Sequence, residues 1–354
     1  MENVLNALIW LTNFSLIPAI TYGSQLALGA LGITLVFSIL RFGNFAHGET
    51  MSIGTAFTIL FMWLLIWLGG DLFPLSIGPI PIPTALLALF PAVACTAAIV
   101  FLTDVFVYKH YRKKRVSPTM MAMVSVGVMF AYAGFVRVLI GVEERVVSDL
   151  DRADRFIFKA TELKRWARDT ENFSWIKEGV SLQWNQAYTV VLAAILVILL
   201  FWFLNKTRTG KSMRAFSDNE DLALLSGINP NKVVVIAWII SATLALASGV
   251  LFGLDKSFKP YTYFQLLLPM FAAAIVGGIG QPFGAIAGGY LIAFSEIFLT
   301  TNAKKIWNYV APDGWEAASN LQLLSTNYKL AVSFIILVLV LLFRPNGIFK
   351  GRVI

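Results

Sequence analysis

The sequence predicts an all-α fold, a polytopic transmembrane bundle of about 8–10 spanning or re-entrant helices that includes two segments interrupted by glycine. Composition supports this class, because 58% of the 354 residues are hydrophobic, only 14% are charged, and the mean hydropathy is +0.73. The chain also divides into long apolar runs separated by polar loops. A soluble domain of this length would not carry so many apolar residues. We therefore treat residues 1–354 as a single transmembrane domain.

The excess of basic residues indicates how the chain is oriented. The formal net charge is +8, but the Lys and Arg residues cluster in loops beside apolar runs. That arrangement is typical of cytoplasmic loops under the positive-inside rule and argues against a nucleic-acid partner. Cys95 is the only cysteine, and the two histidines, His47 and His110, are far apart in the sequence. The sequence therefore predicts no disulfide, no metal and no cofactor.

The apolar runs define the expected crossings. The first 17 residues are short, so an interfacial helix and a short tilted span that ends at Pro18 both stay open. The later runs are 24–40, 50–68, 84–108, 118–141, 186–204, 233–254, 265–276, 285–299 and 328–343. Basic residues at 109–115 place that loop in the cytoplasm, and the parity of crossings places the C-terminus there too. The run 265–276 spans only about 18 Å as a helix, so we expect it not to cross alone.

A hydrophilic insertion occupies residues 142–184, where acidic and basic residues are nearly balanced. We expect it on the extracytoplasmic side. Apolar residues between Phe156 and Ala167 recur at helical spacing among charged ones, which favours an amphipathic helix on the membrane or over the mouth of the bundle. An extended connector without a specific role is the alternative.

A polar loop at residues 206–232 has the features of a cytoplasmic coupling segment. Ser217 followed by Glu220 fits a capping box, so a helix is predicted over 218–226, closed by Gly227. A helix this short needs a surface on which its leucines can pack. That surface is either a cytosolic partner or the chain's own bundle. The candidate coupling residues are Ser217, Glu220, Asp221, Leu222, Leu225 and Gly227.

Two glycine-containing interruptions, at residues 43–48 and 277–284, are the candidate translocation path. Non-helical backbone within a bilayer must be buried in protein or line a water-filled cavity. For Asn44 and His47 the alternative role is to cap exposed backbone at the start of a helix. The candidate path residues are Asn44, His47, Gly48, Gly277, Gly278 and Gly280.

Several stretches resemble the inner-membrane permease subunits of branched-chain amino-acid ABC importers, most closely the H-type subunit. They are residues 32–49, which contain Asn44-Phe45-Ala46-His47-Gly48, residues 210–215 with 220–229, residues 277–280 followed by Gly284-Ala285, and residues 344–349. The resemblance covers most of the chain outside the insertion. The insertion is longer than the family pattern, and residues 268–271 lack the Lys that is common before the second interruption.

The resemblance implies a transport subunit without enzymatic activity, located in a bacterial-type inner (plasma) membrane, that imports leucine, isoleucine or valine. It also implies cytosolic ABC ATPase subunits, a second permease subunit of the M-type and an extracytoplasmic substrate-binding protein. Related permeases carry urea or short amides, so a solute of that kind is the alternative.

A self-sufficient channel is a further alternative, and two features of the sequence bear on it. Residues 210–212 end like a phosphate-binding loop, but Asn205 stands where the first glycine is needed, so no nucleotide site is predicted. Glu296 is the main ionisable residue that we expect within a span, and it could bond between helices. A proton or ion relay is therefore not evident.

Overall fold

The computed structural model of the chain describes residues 2–151, 155–170, 175–310 and 321–349. Its longer helices are α1 (Glu2–Leu11), α2 (Ile17–Leu40), α3 (His47–Gly69), α4 (Thr84–Thr103), α6 (Pro118–Ile140), α7 (Ala160–Asp169), α8 (Trp184–Lys206), α9 (Arg208–Asp218), α11 (Pro230–Lys256), α12 (Pro260–Gly277), α13 (Pro282–Thr300) and α15 (Lys329–Phe343). The short helices are α5 (Lys109–Lys113), α10 (Glu220–Leu225) and α14 (Lys304–Val310). Strands β1 (Leu75–Ile77) and β2 (Ile80–Ile82) pair antiparallel, as do β3 (Phe156–Phe158) and β4 (Leu182–Gln183).

Within the described ranges, nine helical segments are long and apolar enough to cross a membrane. They are α1 joined to α2, α3, α4 joined to α5, α6, α8, α11, α12, α13 and α15. The predicted all-α bundle is thereby confirmed. The predicted runs agree with these helices to within a few residues, except at the N-terminus and at α12.

The N-terminal helix does not stop at Pro18. Helical structure is continuous over Glu2–Leu40, with a π-helical turn at Thr12–Leu16 just before the proline. A proline inside an α-helix removes an amide donor and crowds the preceding turn. The wider π turn relieves that crowding, so the helix continues and both interpretations of a separate 17-residue segment are wrong.

Helix α12 is also longer than the sequence indicated. It begins at Pro260, a residue type suited to the first helical turn, and reaches Gly277. Its 18 residues correspond to about 27 Å, close to the thickness of a bilayer's hydrocarbon core. The expectation that this arm is too short to cross alone is therefore wrong.

The core of the bundle is built on α2 and α11, which are largely buried and pack on each other. Small residues let their backbones approach, and side chains then bond across the seam. The Ser241 hydroxyl donates to the Gly32 carbonyl at 3.1 Å, and Ser248 donates to the Gln25 carbonyl at 2.7 Å. By contrast, α8 and α15 are mostly exposed at the periphery.

The described part of the predicted insertion is structured. Helix α7 forms over the later part of the predicted helical spacing, and its Ala167 is buried. The first part of that spacing is wrong, because Phe156–Phe158 form strand β3. Residues 175–181 are tied to the N-terminal helix, where the Asn6 oxygen accepts from the Lys177 amide at 2.8 Å and Asn13 accepts from the Ser181 amide at 3.0 Å. An extended connector is therefore the wrong interpretation. Residues 152–154, 171–174 and the basic end of the chain at 350–354 lie outside the described residues.

Glu178 connects several short elements at one end of the bundle. Its carboxylate accepts from the Tyr309 hydroxyl at 2.9 Å and lies 3.5 Å from the Lys305 ammonium on the same helix, α14. Lys164 of α7 lies 3.9 Å away. Burial and the neighbouring Glu178 carboxylate raise the pKa of Tyr309 to about 12. The insertion, α14 and the N-terminal helix thus form one connected cap over one end of the bundle.

Candidate functional site

The predicted coupling helix begins later than the sequence indicated. Helix α9 runs through Ser217 to Asp218, and α10 begins at Glu220. The residue between them, Asn219, has the extended backbone of an N-cap, and its side chain accepts from the Leu222 amide at 3.0 Å. Because Ser217 is itself helical, it cannot cap the next helix, so the predicted Ser217–Glu220 capping box and the start at 218 are wrong.

The end of α10 agrees with the prediction. Gly227 has a φ of +79°, which a residue with a side chain rarely adopts. The Ile228 amide then donates back to the Ala223 carbonyl at 3.1 Å, as expected for a glycine-terminated helix. Pro230 opens α11 directly afterwards. The loop is therefore a defined pair of helices between two membrane spans.

The leucines of α10 project away from the protein. Leu225 is 85% exposed and Leu222 is 61% exposed, whereas Ala223 on the opposite side is only 3% exposed. Leu224 is also exposed, and so are the acidic residues Glu220 and Asp221. The alternative in which the leucines rest on the chain's own bundle does not describe this structure. An apolar face is left without a cover from the described part of the chain.

Helix α9 fixes the position of this exposed face. Met213 and Phe216 are buried against the bundle. The Arg41 guanidinium, at the end of α2, donates to the Ser217 carbonyl. A cavity of about 180 Å³ is lined by Ser38 of α2, by Ser217, and by Gly280 in the turn between α12 and α13. Both interruptions therefore reach the end of the bundle that carries the loop.

The first interruption re-enters the bundle. Arg41 takes a left-handed conformation with φ of 59° and ends α2. The Phe45 amide then donates to Ser125 Oγ at 3.0 Å. Ser125 lies two turns, or about 10 Å, from the start of α6. Asn44 is buried, and its Oδ1 accepts from the Ala46 amide at 3.2 Å and the Tyr108 hydroxyl at 3.3 Å. Its side chain thus supports the local turn, two residues before the N-cap position.

His47 and Gly48 begin α3 in a tightly packed place. His47 is 1% exposed, and its ring lies where a side chain at Gly32 would have to sit. Its Nε2 has no hydrogen-bond partner among the described residues. Gly48 is equally constrained, because a Cβ there would meet the Tyr263 carbonyl oxygen at 2.9 Å and Leu267 Cβ at 3.2 Å. Both residues contribute to close helix packing at this point.

The second interruption is a compact turn between α12 and α13. Gly278 and Gly280 have positive φ values of 114° and 85°. A Cβ on Gly277 would collide with the Gly284 backbone, so only glycine lets these two segments meet. The C-terminal tail covers the turn, since the Ile348 amide donates to the Val276 carbonyl at 2.9 Å. The predicted path residues Gly277, Gly278 and Gly280 thus lie in one turn, and Gly280 shares a cavity with Ser217 of the loop.

Sequence reasoning missed an ionisable cluster at the end of α4. Asp104 is buried within a π-helical turn, where its carboxylate pairs with Arg112 and accepts from Trp238 Nε1 at 2.8 Å. Tyr108 stacks on Trp238 with ring centroids 5.0 Å apart and reaches Asn44 with its hydroxyl. The cluster therefore links α4, α11 and the first interruption. A lone Asp inside an apolar run was the available signal.

Two further carboxylates lie within spans. Glu296 on α13 is buried, accepts from the Ser333 hydroxyl and lies 3.5 Å from the Lys329 ammonium, both on α15. Lys329 in turn lies over the Tyr22 ring, 3.7 Å from its centroid. This supports the expectation that Glu296 bonds between helices. Glu49, which the sequence reasoning passed over, lines a cavity of about 220 Å³ between α3, α6 and α12.

A family comparison decides the class of protein. The profile of the family described as branched-chain amino acid transport system / permease component matches residues 15–341. The chain belongs to this family. The resemblance drawn from the sequence motifs is thereby confirmed, and the family assignment together with the nine apolar helices makes this a multi-pass membrane protein of the permease class.

Individual relatives agree with the family. The permease protein BraD of a high-affinity branched-chain amino acid transport system from Pseudomonas aeruginosa is 28% identical over 339 residues, which is 94% of each chain. LivH of Escherichia coli K12 is 29% identical over 336 residues, covering 93% of this chain and 92% of that protein. A probable LivH from Methanocaldococcus jannaschii is 27% identical over 330 residues, with 93% and 90% covered.

Proposed function

We propose that this chain is an H-type permease subunit of an ATP-driven importer for leucine, isoleucine and valine. The full-length similarity to BraD and LivH, each named as a branched-chain amino acid permease, supports the substrate class. A largely uncharged bundle suits a solute without net charge, since fixed charges would hold a charged solute too tightly. The chain itself performs no covalent chemistry.

ATP binding and hydrolysis belong to separate cytosolic ABC subunits in this proposal. The observation that carries it is α10, a capped helix with exposed leucines, held on a basic loop between two spans. Glu220, Asp221, Leu222 and Leu225 form the docking face, and Gly227 ends it. Docking there biases the bundle between two arrangements as ATP is bound and released.

The path of the solute runs along this chain and a second permease subunit of the M-type. The re-entrant segment that contains Asn44, His47 and Gly48 supports a path near α3, because irregular backbone inside a bundle is tolerated where it is buried or lines a cavity. The turn with Gly277, Gly278 and Gly280 joins the path at the loop end.

The proposed orientation follows from the nine crossings. The basic loop at 109–117 and the coupling loop at 207–229 lie in the cytoplasm, as does the C-terminus, and the cap built on the insertion faces outward in an inner (plasma) membrane. An extracytoplasmic binding protein delivers the solute to that outer side.

Single cysteines test this orientation. In a Cys95→Ser background, cysteines at Lys113 and Lys211 should react with an impermeant thiol reagent only from the cytoplasmic side, and one at Trp166 only from the outside. Reaction of all three from one side would overturn the arrangement of spans.

Uptake measurements test the function itself. Membrane vesicles that contain this chain with its M-type permease, ATPase subunits and binding protein should accumulate radiolabelled leucine when ATP is supplied, and unlabelled isoleucine and valine should compete. Accumulation that needs no ATPase subunit would assign the chain to the channels. Competition by urea or acetamide, but by none of the three amino acids, would replace the substrate class.

A further inference from the structure

The cavity beside Glu49 is lined by one acidic and one basic side chain. It measures about 220 Å³ and is lined by Glu49 from α3, by Met129, Phe130, Ala133, Gly134 and Arg137 from α6, and by Pro260, Tyr261 and Phe264 from α12. Among the described residues that line it, Glu49 and Arg137 are the ionisable ones apart from the Tyr261 phenol. Glu49 is buried and Arg137 is exposed, and among the described residues no ion pair joins the two side chains.

Glu49 is a buried carboxylate that the described residues satisfy only in part. The residue is 4% exposed, and its Oε2 has no hydrogen-bond partner in the described part of the chain. A carboxylate removed from water is costly unless a cation or several donors compensate it. An ionisable residue within a span, with a cavity in front of it, is a sign of a binding site.

We propose that this cavity binds the zwitterionic amino acid during its passage, an inference that rests on the proposed function. The ammonium group of the solute pairs with the Glu49 carboxylate, and its carboxylate pairs with the planar Arg137 guanidinium. The branched aliphatic side chain lies on Met129, Phe130 and Phe264. The two charges of the solute thus neutralise the two charges of the cavity, and the filled site is uncharged.

This arrangement selects by chemistry. An amine that lacks the carboxylate leaves Arg137 unpaired, and an acid that lacks the ammonium leaves Glu49 unpaired. Urea offers neither charge. The site therefore distinguishes a branched-chain amino acid from the alternative solutes of related permeases, independently of the binding protein.

A labelling experiment tests the ligand chemistry directly. Ala133 lines the cavity, so an Ala133→Cys variant in a Cys95→Ser background reports its occupancy. In the assembled complex without binding protein and without ATP, leucine should slow alkylation of this cysteine. The analogues 4-methylpentanoate, which has no ammonium group, and 3-methylbutylamine, which has no carboxylate, should not. Equal slowing by all three compounds, or by none, would refute the proposal.

Uptake by the complete importer provides a second measurement. Glu49→Gln and Arg137→Gln should each lower leucine uptake per assembled complex by at least about tenfold, since each removes a charge-assisted hydrogen bond. Arg137→Lys should retain more uptake than Arg137→Gln. The matched controls are Glu143→Gln and Arg168→Gln, which remove the same charges from exposed positions outside the spans and should leave uptake unchanged.

The outcomes separate the two proposals. Absence of leucine uptake by the wild-type complex refutes the proposed function together with the site. Wild-type uptake with both cavity variants at the wild-type rate per complex refutes the site alone. A purely structural role for Glu49 and Arg137 predicts less assembled complex but unaltered uptake by the complex that remains, which also counts against the site.

Discussion

Replacing Leu225 by Asp is the sharpest test of coupling through α10. Leu225 is 85% exposed, so its side chain contributes little to the fold of the isolated chain. Full burial of a leucine is worth about 1.5–3 kcal/mol. Scaling by the exposed fraction gives about 1.3–2.6 kcal/mol available on docking, which corresponds to about a 10- to 80-fold change in affinity for the ATPase. The buried charge of Asp makes this a lower bound.

Three quantities measured on the same preparations check this prediction: the amount of permease in the membrane, the amount of ATPase that copurifies, and ATP hydrolysis stimulated by solute-loaded binding protein. Leu225→Asp should leave the first unchanged and lower the other two. Leu323→Asp is the matched control, because Leu323 is 79% exposed in the segment between α13 and α15, outside the coupling loop.

Two results would contradict the reasoning. Normal permease levels with unchanged ATPase association and stimulation would remove Leu225 from the coupling surface. A fall in permease level, with ATPase association falling only in proportion, would mean that Leu225 supports the chain's own fold in the membrane.

Three further variants test the packing described above. His47→Ala should lower the amount of folded permease and leucine uptake in parallel, because the buried ring packs between helices beside the proposed path. Normal assembly with slow uptake would mean that the His47 side chain itself acts on the solute. Gly288→Ala should lower the free energy of unfolding by about 1–3 kcal/mol, since its Cβ would meet the backbone of α12. Gly127 has open space around it, so Gly127→Ala should raise the thermal unfolding midpoint. Equal midpoints for the two variants would contradict this reasoning. Glu296→Ala leaves the Lys329 ammonium without this carboxylate. The free energy of unfolding should fall by at most about 3 kcal/mol, because the Lys329 side chain is 32% exposed. An unchanged unfolding midpoint would show that the pair contributes nothing to stability.

The hydrophobic pattern was sufficient to predict the helices, because each span must satisfy its own backbone in lipid. It failed where local geometry overrides composition. The π turn before Pro18 keeps the helix continuous. The first turn of α12 contains a proline, two tyrosines and a threonine, which lower hydropathy without preventing a helix. At the coupling loop, Asn219 took the capping role because its backbone is extended, a property that the Ser217 pattern could not reveal.

The candidate site was less predictable for a different reason. Asp104 pairs with a tryptophan 134 positions later in the chain, and Glu49 shares its cavity with side chains from α6 and α12. Such neighbours arise from the packing of whole helices. Only the residue types, a carboxylate in an apolar run, were visible in the sequence. The motif glycines were easier, since a close approach needs glycine wherever two backbones touch.

The first helix is unusually long, and that length has a mechanical consequence. Its 39 residues over Glu2–Leu40 measure about 58 Å, against about 30 Å of hydrocarbon. Near one end Asn6 and Asn13 accept hydrogen bonds from the cap, and just past the other end the Arg41 guanidinium donates to the Ser217 carbonyl. One continuous helix thus connects the two faces of the protein. We therefore expect a displacement of the cap to move the coupling loop unless the π-helical turn bends.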